Sequence, residues 1–340
     1  MTTTAQRPAA VAAVPTASPA ERARHRRTRL VLGVLAVLLV GAFAAYLLVD
    51  LRGSWAYALS LRSRQLSALV VVGVAVGVSS TMFQTVAGSR ILTPGVMGFD
   101  SLYLLIQTLV VYLFGSTTLL LMGAPVRFGV NVSALTLFGL LLFRWLFRRS
   151  SRSLFVLVLV GVVCGALFGS LTSFASRLLS PDDYLTLQDV MFASFNRVDI
   201  DLLGITAAVT GAGCLAAARL VRALDVVDLG HDVAVGLGLP YHRVVTLTLV
   251  VVTVLVATST ALVGPMMFLG LIVANVARQL LPTSRHAVLL PAAALVGALG
   301  TVLGQTVVVH LFAHTTTLSV VVNLVGGLYF LYLLTRTVRL

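Results

Sequence analysis

"DVVDLGHDVAVGLGLPYHRV", residues 225–244, interrupts a chain whose neighbouring segments are apolar for about twenty residues at a time. One short stretch holds Asp225, Asp228, His231, Asp232, His242 and Arg243. Asp228 suits a helix N-cap, and Gly238 followed by Pro240 suits a stop and a restart. The spacing predicts a helix over 229–237, with Leu229, Val233, Ala234 and Leu237 sharing one face. A helix that short does not hold in water by itself, so it needs a surface to lie on. What that surface is depends on the rest of the chain.

The rest is a membrane protein. Of 340 residues, 59% are hydrophobic and only 10% charged, with a mean hydropathy of +1.03. Soluble domains carry roughly a quarter of their residues as charges. The net charge is +13 and all 24 basic residues are arginine. These arginines sit at the ends of apolar runs, where they fix membrane orientation, and this placement argues against a nucleic-acid partner. Cys164 and Cys214 lie inside apolar runs and read as packing residues.

Residues 1–29 read as a disordered basic tail, and 30–340 as one transmembrane domain of all-α class. The apolar run 30–49 is read as a retained first helix, not a cleaved signal, because further spans follow. The other expected spans are 65–87, 96–115, 128–147, 153–176, 201–222, 244–263, 266–281, 287–309 and 318–336, about ten in all. The eighth is short enough to be broken or re-entrant, although the distribution of arginines supports it as a true span. With a cytoplasmic N-terminus, eighteen arginines fall inside and six outside, so both termini are expected in the cytoplasm. The loop 223–243 is then cytoplasmic. The six outer arginines are Arg52, Arg62, Arg64, Arg127, Arg177 and Arg197.

Small residues recur four apart at Gly73 and Gly77, at Gly161, Gly165 and Gly169, and at Gly300 and Gly304, the spacing that lets helices approach closely in lipid. Acidic residues and lysine are missing from the middle of every span. Asp100, about one turn into the third, reads as a helix cap. Ion-coupled carriers use an intramembrane ionisable group, so a secondary carrier is the weaker reading. A phosphate loop needs a lysine and the chain has none, so ATP hydrolysis would fall to a separate subunit. His310 and His314 have helical metal-ligand spacing but no carboxylate or cysteine beside them, and no cofactor is expected.

Four motifs taken in order carry a resemblance. They are "RSRQLSALVVVG" running on to "FQTVAGSRILTPGVMGFDSLYLLIQT", then "DLGHDVAVGLGLPYHRV", "ALVGPMMFLGLIVANVARQLLPTSRHAVLLP" and "LSVVVNLVGGLYFLYLL". In this order the chain resembles the FecCD-type permeases of ABC importers for iron–siderophores, whose relatives carry vitamin B12 and haem. It departs at Ser89-Arg90, where the family often has Asn-Pro, and at Ala274-Asn275, where it often has Pro-His. The forms "RILTPGVMGFDSLYLLIQT" and "GLIVAN" look most like the catecholate-siderophore branch, in which two different permeases commonly pair.

The resemblance implies a vitamin B12 permease-type fold of ten spans and transport of a ferric siderophore, with cobalamin or haem as the alternative cargo. It implies two cytoplasmic ATPases, an extracytoplasmic binding protein, and a second permease subunit that is a homologous chain or another copy. The loop would then be the ATPase-coupling element, through Asp228, Leu229, Gly230, Asp232, Val233, Ala234, Leu237, Gly238, Pro240 and Arg243. Arg52, Arg62, Arg64, Arg177 and Arg197 would receive acidic residues of the binding protein. Gln84, Pro94, Gly98, Gly264, Pro265 and Asn275 join Gly73, Gly77, Gly161, Gly165 and Gly169 as packing or pathway positions.

Overall fold

A backbone amide in lipid has no water to turn to, so each apolar run must satisfy its own hydrogen bonds as a helix. A computed structural model describes residues 19–48, 55–149, 154–195, 198–281, 283–312 and 316–337. Every regular element among them is helical. In order these are α1 (Pro19–Leu48), α2 (Trp55–Ala87), a 3-10 turn (Pro94–Met97), α3 (Phe99–Leu121), α4 (Ala124–Arg149), α5 (Leu154–Ser176) and α6 (Pro181–Met191). There follow α7 (Ile200–Val227), α8 (His231–Gly236), α9 (Tyr241–Val263), α10 (Leu269–Leu280), α11 (His286–Leu311) and α12 (Leu318–Thr337). Nine of the described helices are long and apolar enough to cross a membrane.

Two of them form the interior. The apolar windows of α2 and α9 are 72% and 67% buried, against 17% for α1 and α5. Glycines bring α2 and α11 together. A Cβ on Gly73 would stand 2.5 Å from the Gly297 carbonyl oxygen, and one on Gly77 would strike the carbonyl of Ala293. Thr301 on α11 ties the pair by donating to Leu69 O at 2.8 Å. Gly161 and Gly165 of α5 pack on Met97 and Gly98, whereas Gly169 and Gly300 face open space. The glycine of α11 that meets α2 is therefore Gly297, outside the four-residue pairs read from the sequence.

Several boundaries differ from expectation. Helix α1 starts at Pro19, so the last part of the presumed disordered tail is helical. Helix α2 starts at Trp55 and puts Arg62 and Arg64 on a helix, not in a loop. Helix α7 runs on to Val227, past the expected end at 222. Asp100 does not cap α3: the N-cap is Gly98, at φ 94°, with no side-chain cap bond. Helix α6 was not anticipated, although Ser180 before Pro181 and Asp183 is a standard start signal, with Ser180 Oγ accepting from Asp183 N at 3.2 Å. Helix α10 has 12 residues, about 18 Å of rise, too short for the ~30 Å hydrocarbon core. The eighth segment is thus broken: Gly264, at φ 103°, ends α9, and the chain stays non-helical until Phe268.

Candidate functional site

The end of the bundle that the arginine count assigns to the cytoplasm carries α8, and local hydrogen bonds explain its shape. Asp228 is helical and closes α7, its N–H donating to Leu224 O at 3.0 Å, so it is the C-cap of the preceding helix and not the N-cap of α8. Gly230 takes the N-cap position at φ 98°, a conformation that suits glycine. The helix is accordingly His231–Gly236, shorter than the expected 229–237. Gly238, at φ 80°, stops it. Its N–H donates to Val235 O at 2.9 Å and Leu239 N to Ala234 O at 3.1 Å, the paired bonds of a Schellman stop. Pro240 then begins α9, with Arg243 exposed on its first turn.

The apolar face divides. Ala234 is fully buried against the bundle, whereas Leu229, Val233 and Leu237 are 59%, 50% and 65% exposed. Ala234 is therefore the foot of α8 and does not share the outward face. The His231 ring stands edge-on to Tyr241, centroids 4.7 Å apart, which braces α8 against α9. Asp232 is fully exposed beside it. The result is a group of exposed apolar side chains, Leu229, Val233 and Leu237, beside polar ones at this end of the bundle.

Beneath α8 lies a polar cluster that sequence reasoning missed. His286, at the start of α11, is fully buried. Its Nδ1 lies 2.7 Å from Asp225 Oδ1 of α7, and its Nε2 lies 2.7 Å from Thr85 Oγ1 of α2. Asp225 Oδ1 also accepts from His286 N at 2.7 Å, and Arg278 of α10 donates to Thr85 Oγ1 at 3.1 Å. Four elements are thus fastened at one level. The only advance signal was that Thr85, Asp225, Arg278 and His286 each fall near the same end of a separate span. Close by, Gln84 and Asn275 both donate to Arg90 O, at 3.0 and 2.8 Å, which pins the loop after α2 onto α10. Pro94 opens the buried 3-10 turn, Gly264 backs onto Ala193, and Pro265 lies in the unwound link before α10.

The opposite end holds the remaining candidates. Arg62 donates to Tyr46 O and Leu47 O at 3.2 and 3.3 Å and so serves the last turn of α1. Arg64 and Arg177 are exposed, while Arg52 and Arg197 lie outside the described residues. The same end presents the acidic α6. Its Asp183 accepts from Ser116 N at 3.1 Å, just past the α3 kink at Gly115, and contacts with Ser116 and Ser180 hold this carboxyl below the usual range. His310 Nδ1 lies 2.8 Å from Thr306 O of its own helix, and His314 lies outside the described residues.

Known proteins resemble this chain in sequence and in fold. The chain is 42% identical over 302 residues to the petrobactin import system permease protein YclO of Bacillus subtilis, covering 89% of this chain and 95% of that protein. It is 32% identical over 269 residues to the petrobactin import system permease protein FatC of Bacillus anthracis, covering 79% and 76%. A solved metal-chelate type ABC transporter in an inward-facing conformation superposes with a TM-score of 0.78 over 91% of this chain and 99% of its own, at 22% identity. That likeness speaks for the fold. Residues 30–336 match the FecCD transport family, which takes in every long helix from α2 to α11, and the chain belongs to that family.

Proposed function

We propose that the chain is the permease subunit of an ATP-driven importer that passes a ferric siderophore into the cytoplasm. The observation that carries the mechanism is the exposed apolar set of Leu229, Val233 and Leu237, on and flanking the braced helix α8. An ATPase docked there would push on α7 and α9, between which α8 is held, and through the His286 cluster on α2, α10 and α11. The cargo assignment follows the petrobactin permeases to which the chain is similar. In this reading the protein lies in the cytoplasmic membrane with both termini inside and pairs with a second permease subunit. It receives cargo from an extracytoplasmic binding protein, with Arg64 and Arg177 as exposed charges at that end.

The test is a double substitution, Leu229→Asp with Val233→Asp, made in the cell that encodes the whole importer. Membrane insertion should be unchanged, because both side chains face away from the bundle. Copurification of the ATPase and uptake of ferric siderophore should be lost. Normal copurification together with normal uptake would remove α8 from the coupling role.

A further inference from the structure

Inside the bundle, beside the broken eighth segment, α2, the 3-10 turn, α3, α9 and the link before α10 line a small cavity of about 30 Å³. Asp100 lines it, only 6% exposed, and its Oδ2 is buried without a hydrogen-bond partner. An ionisable group inside a membrane span is costly unless something compensates it. The neighbouring side chains do not include a cation. Apart from Asp100, the polar side chains of the lining are the hydroxyls of Ser79, Ser80, Thr93, Ser259 and Thr260, and the rest of it is apolar, Val72, Val76, Val256, Met266 and Met267 among them.

Three of these hydroxyls are already committed as donors. Ser79 donates to Val76 O at 3.2 Å, Ser259 to Val256 O at 3.0 Å, and Thr93 to Met267 O at 3.5 Å. A hydroxyl has one proton and two lone pairs, so each keeps acceptor capacity after that bond. No protein group donates to Asp100 Oδ2, and the acceptor oxygens of Ser79, Thr93 and Ser259 line the same space, a set that a bound cation satisfies. Interrupted membrane helices that meet around a polar pocket are where transporters commonly hold ions.

We propose that this cavity binds one monovalent alkali cation, held by the Asp100 carboxylate with the hydroxyl oxygens of Ser79, Thr93 and Ser259. Charge sets the valence: one carboxylate among neutral oxygens balances a single positive charge, and a divalent ion would leave one uncompensated inside the bundle. Size agrees, since a water-sized occupant needs about 10–15 Å³ by this measure. The ion neutralises Asp100 and joins α3 to the unwound link of the eighth segment. It is structural in this role and does not drive transport.

The test is thermal unfolding of the full-length permease complex in lipid nanodiscs. Sodium or potassium chloride is titrated against choline chloride at constant ionic strength. The wild-type midpoint should rise saturably with one of the alkali ions, since a ligand of the native state stabilises it by mass action. Asp100→Asn should abolish the rise. Ser259→Ala, which removes one oxygen and little volume, should weaken the apparent affinity about tenfold. A wild type indifferent to alkali ions, a midpoint that follows pH alone, or a full response in Asp100→Asn overturns the site. If Asp100→Asn does not fold, an unshifted titration in Ser79→Ala with Ser259→Ala overturns it equally.

Discussion

At His286 a fully buried imidazole is held through both nitrogens by residues from two other helices, and Asp225 bonds its backbone as well. Replacing Asp225 with alanine strands a buried N–H and a buried ring nitrogen. Each loss of this kind costs about 1–3 kcal/mol. Asp225→Ala should therefore lower the unfolding midpoint clearly, while Asp225→Asn, which keeps an acceptor oxygen, should lower it less. Thermal unfolding of the two variants side by side makes the comparison. Residue pairings of this sort were the least legible part of the chain. Gln84 and Asn275 stood out in the motifs, yet nothing in their spacing said that both reach the carbonyl of Arg90, 185 residues from the second of them. Asp100 was misread for the same reason: a carboxyl near a helix start looks like a cap until the backbone shows Gly98 in that place. Caps are decided by φ and ψ, which a single letter does not carry.

Among elements, the α2–α11 contact is the tightest backbone approach, and it gives a paired prediction. Gly297→Val should abolish folded protein, because even a Cβ there would overlap the Gly73 carbonyl. Gly300→Val, one turn away and facing open space, should be tolerated to within about 0.5 kcal/mol. Detergent-solubilised yield and size-exclusion profile distinguish them. The long helices were legible because apolar runs of membrane length admit few other structures. Their facing was not, since a chain of glycines four apart looks alike whether it meets a neighbour, as Gly161 and Gly165 do, or lipid, as Gly169 can. Helix α8 was legible in kind but not in register. The sequence reading starts the helix at Asp228, but α7 continues through Val227 and takes Asp228 as its own C-cap, so the start falls to Gly230. Helix α6 was missed although its cap is plain, because attention to membrane-length runs passes over 11 polar-rich residues.

For the whole molecule, the absence of lysine, and with it of a phosphate loop, points to external energy. Reconstituted with its ATPase and binding protein, the permease should import ferric siderophore when ATP is supplied on the cytoplasmic side. Uptake should persist after an uncoupler collapses the proton gradient. Transport by this chain alone, driven by an imposed pH gradient, would restore the secondary carrier. The outward face of α8 also has a meaning for the life of the protein in the cell. Three apolar side chains more than half bare or nearly so, at an aqueous end, are a sticky surface until something covers them. A permease made in excess of its ATPase would display that surface as a degradation mark, so subunit balance would be set by turnover and not only by synthesis. In a pulse-chase, the chain should have a shorter half-life when the ATPase gene is deleted. Leu229→Asp with Val233→Asp should lengthen that half-life again, even though the same change ends transport.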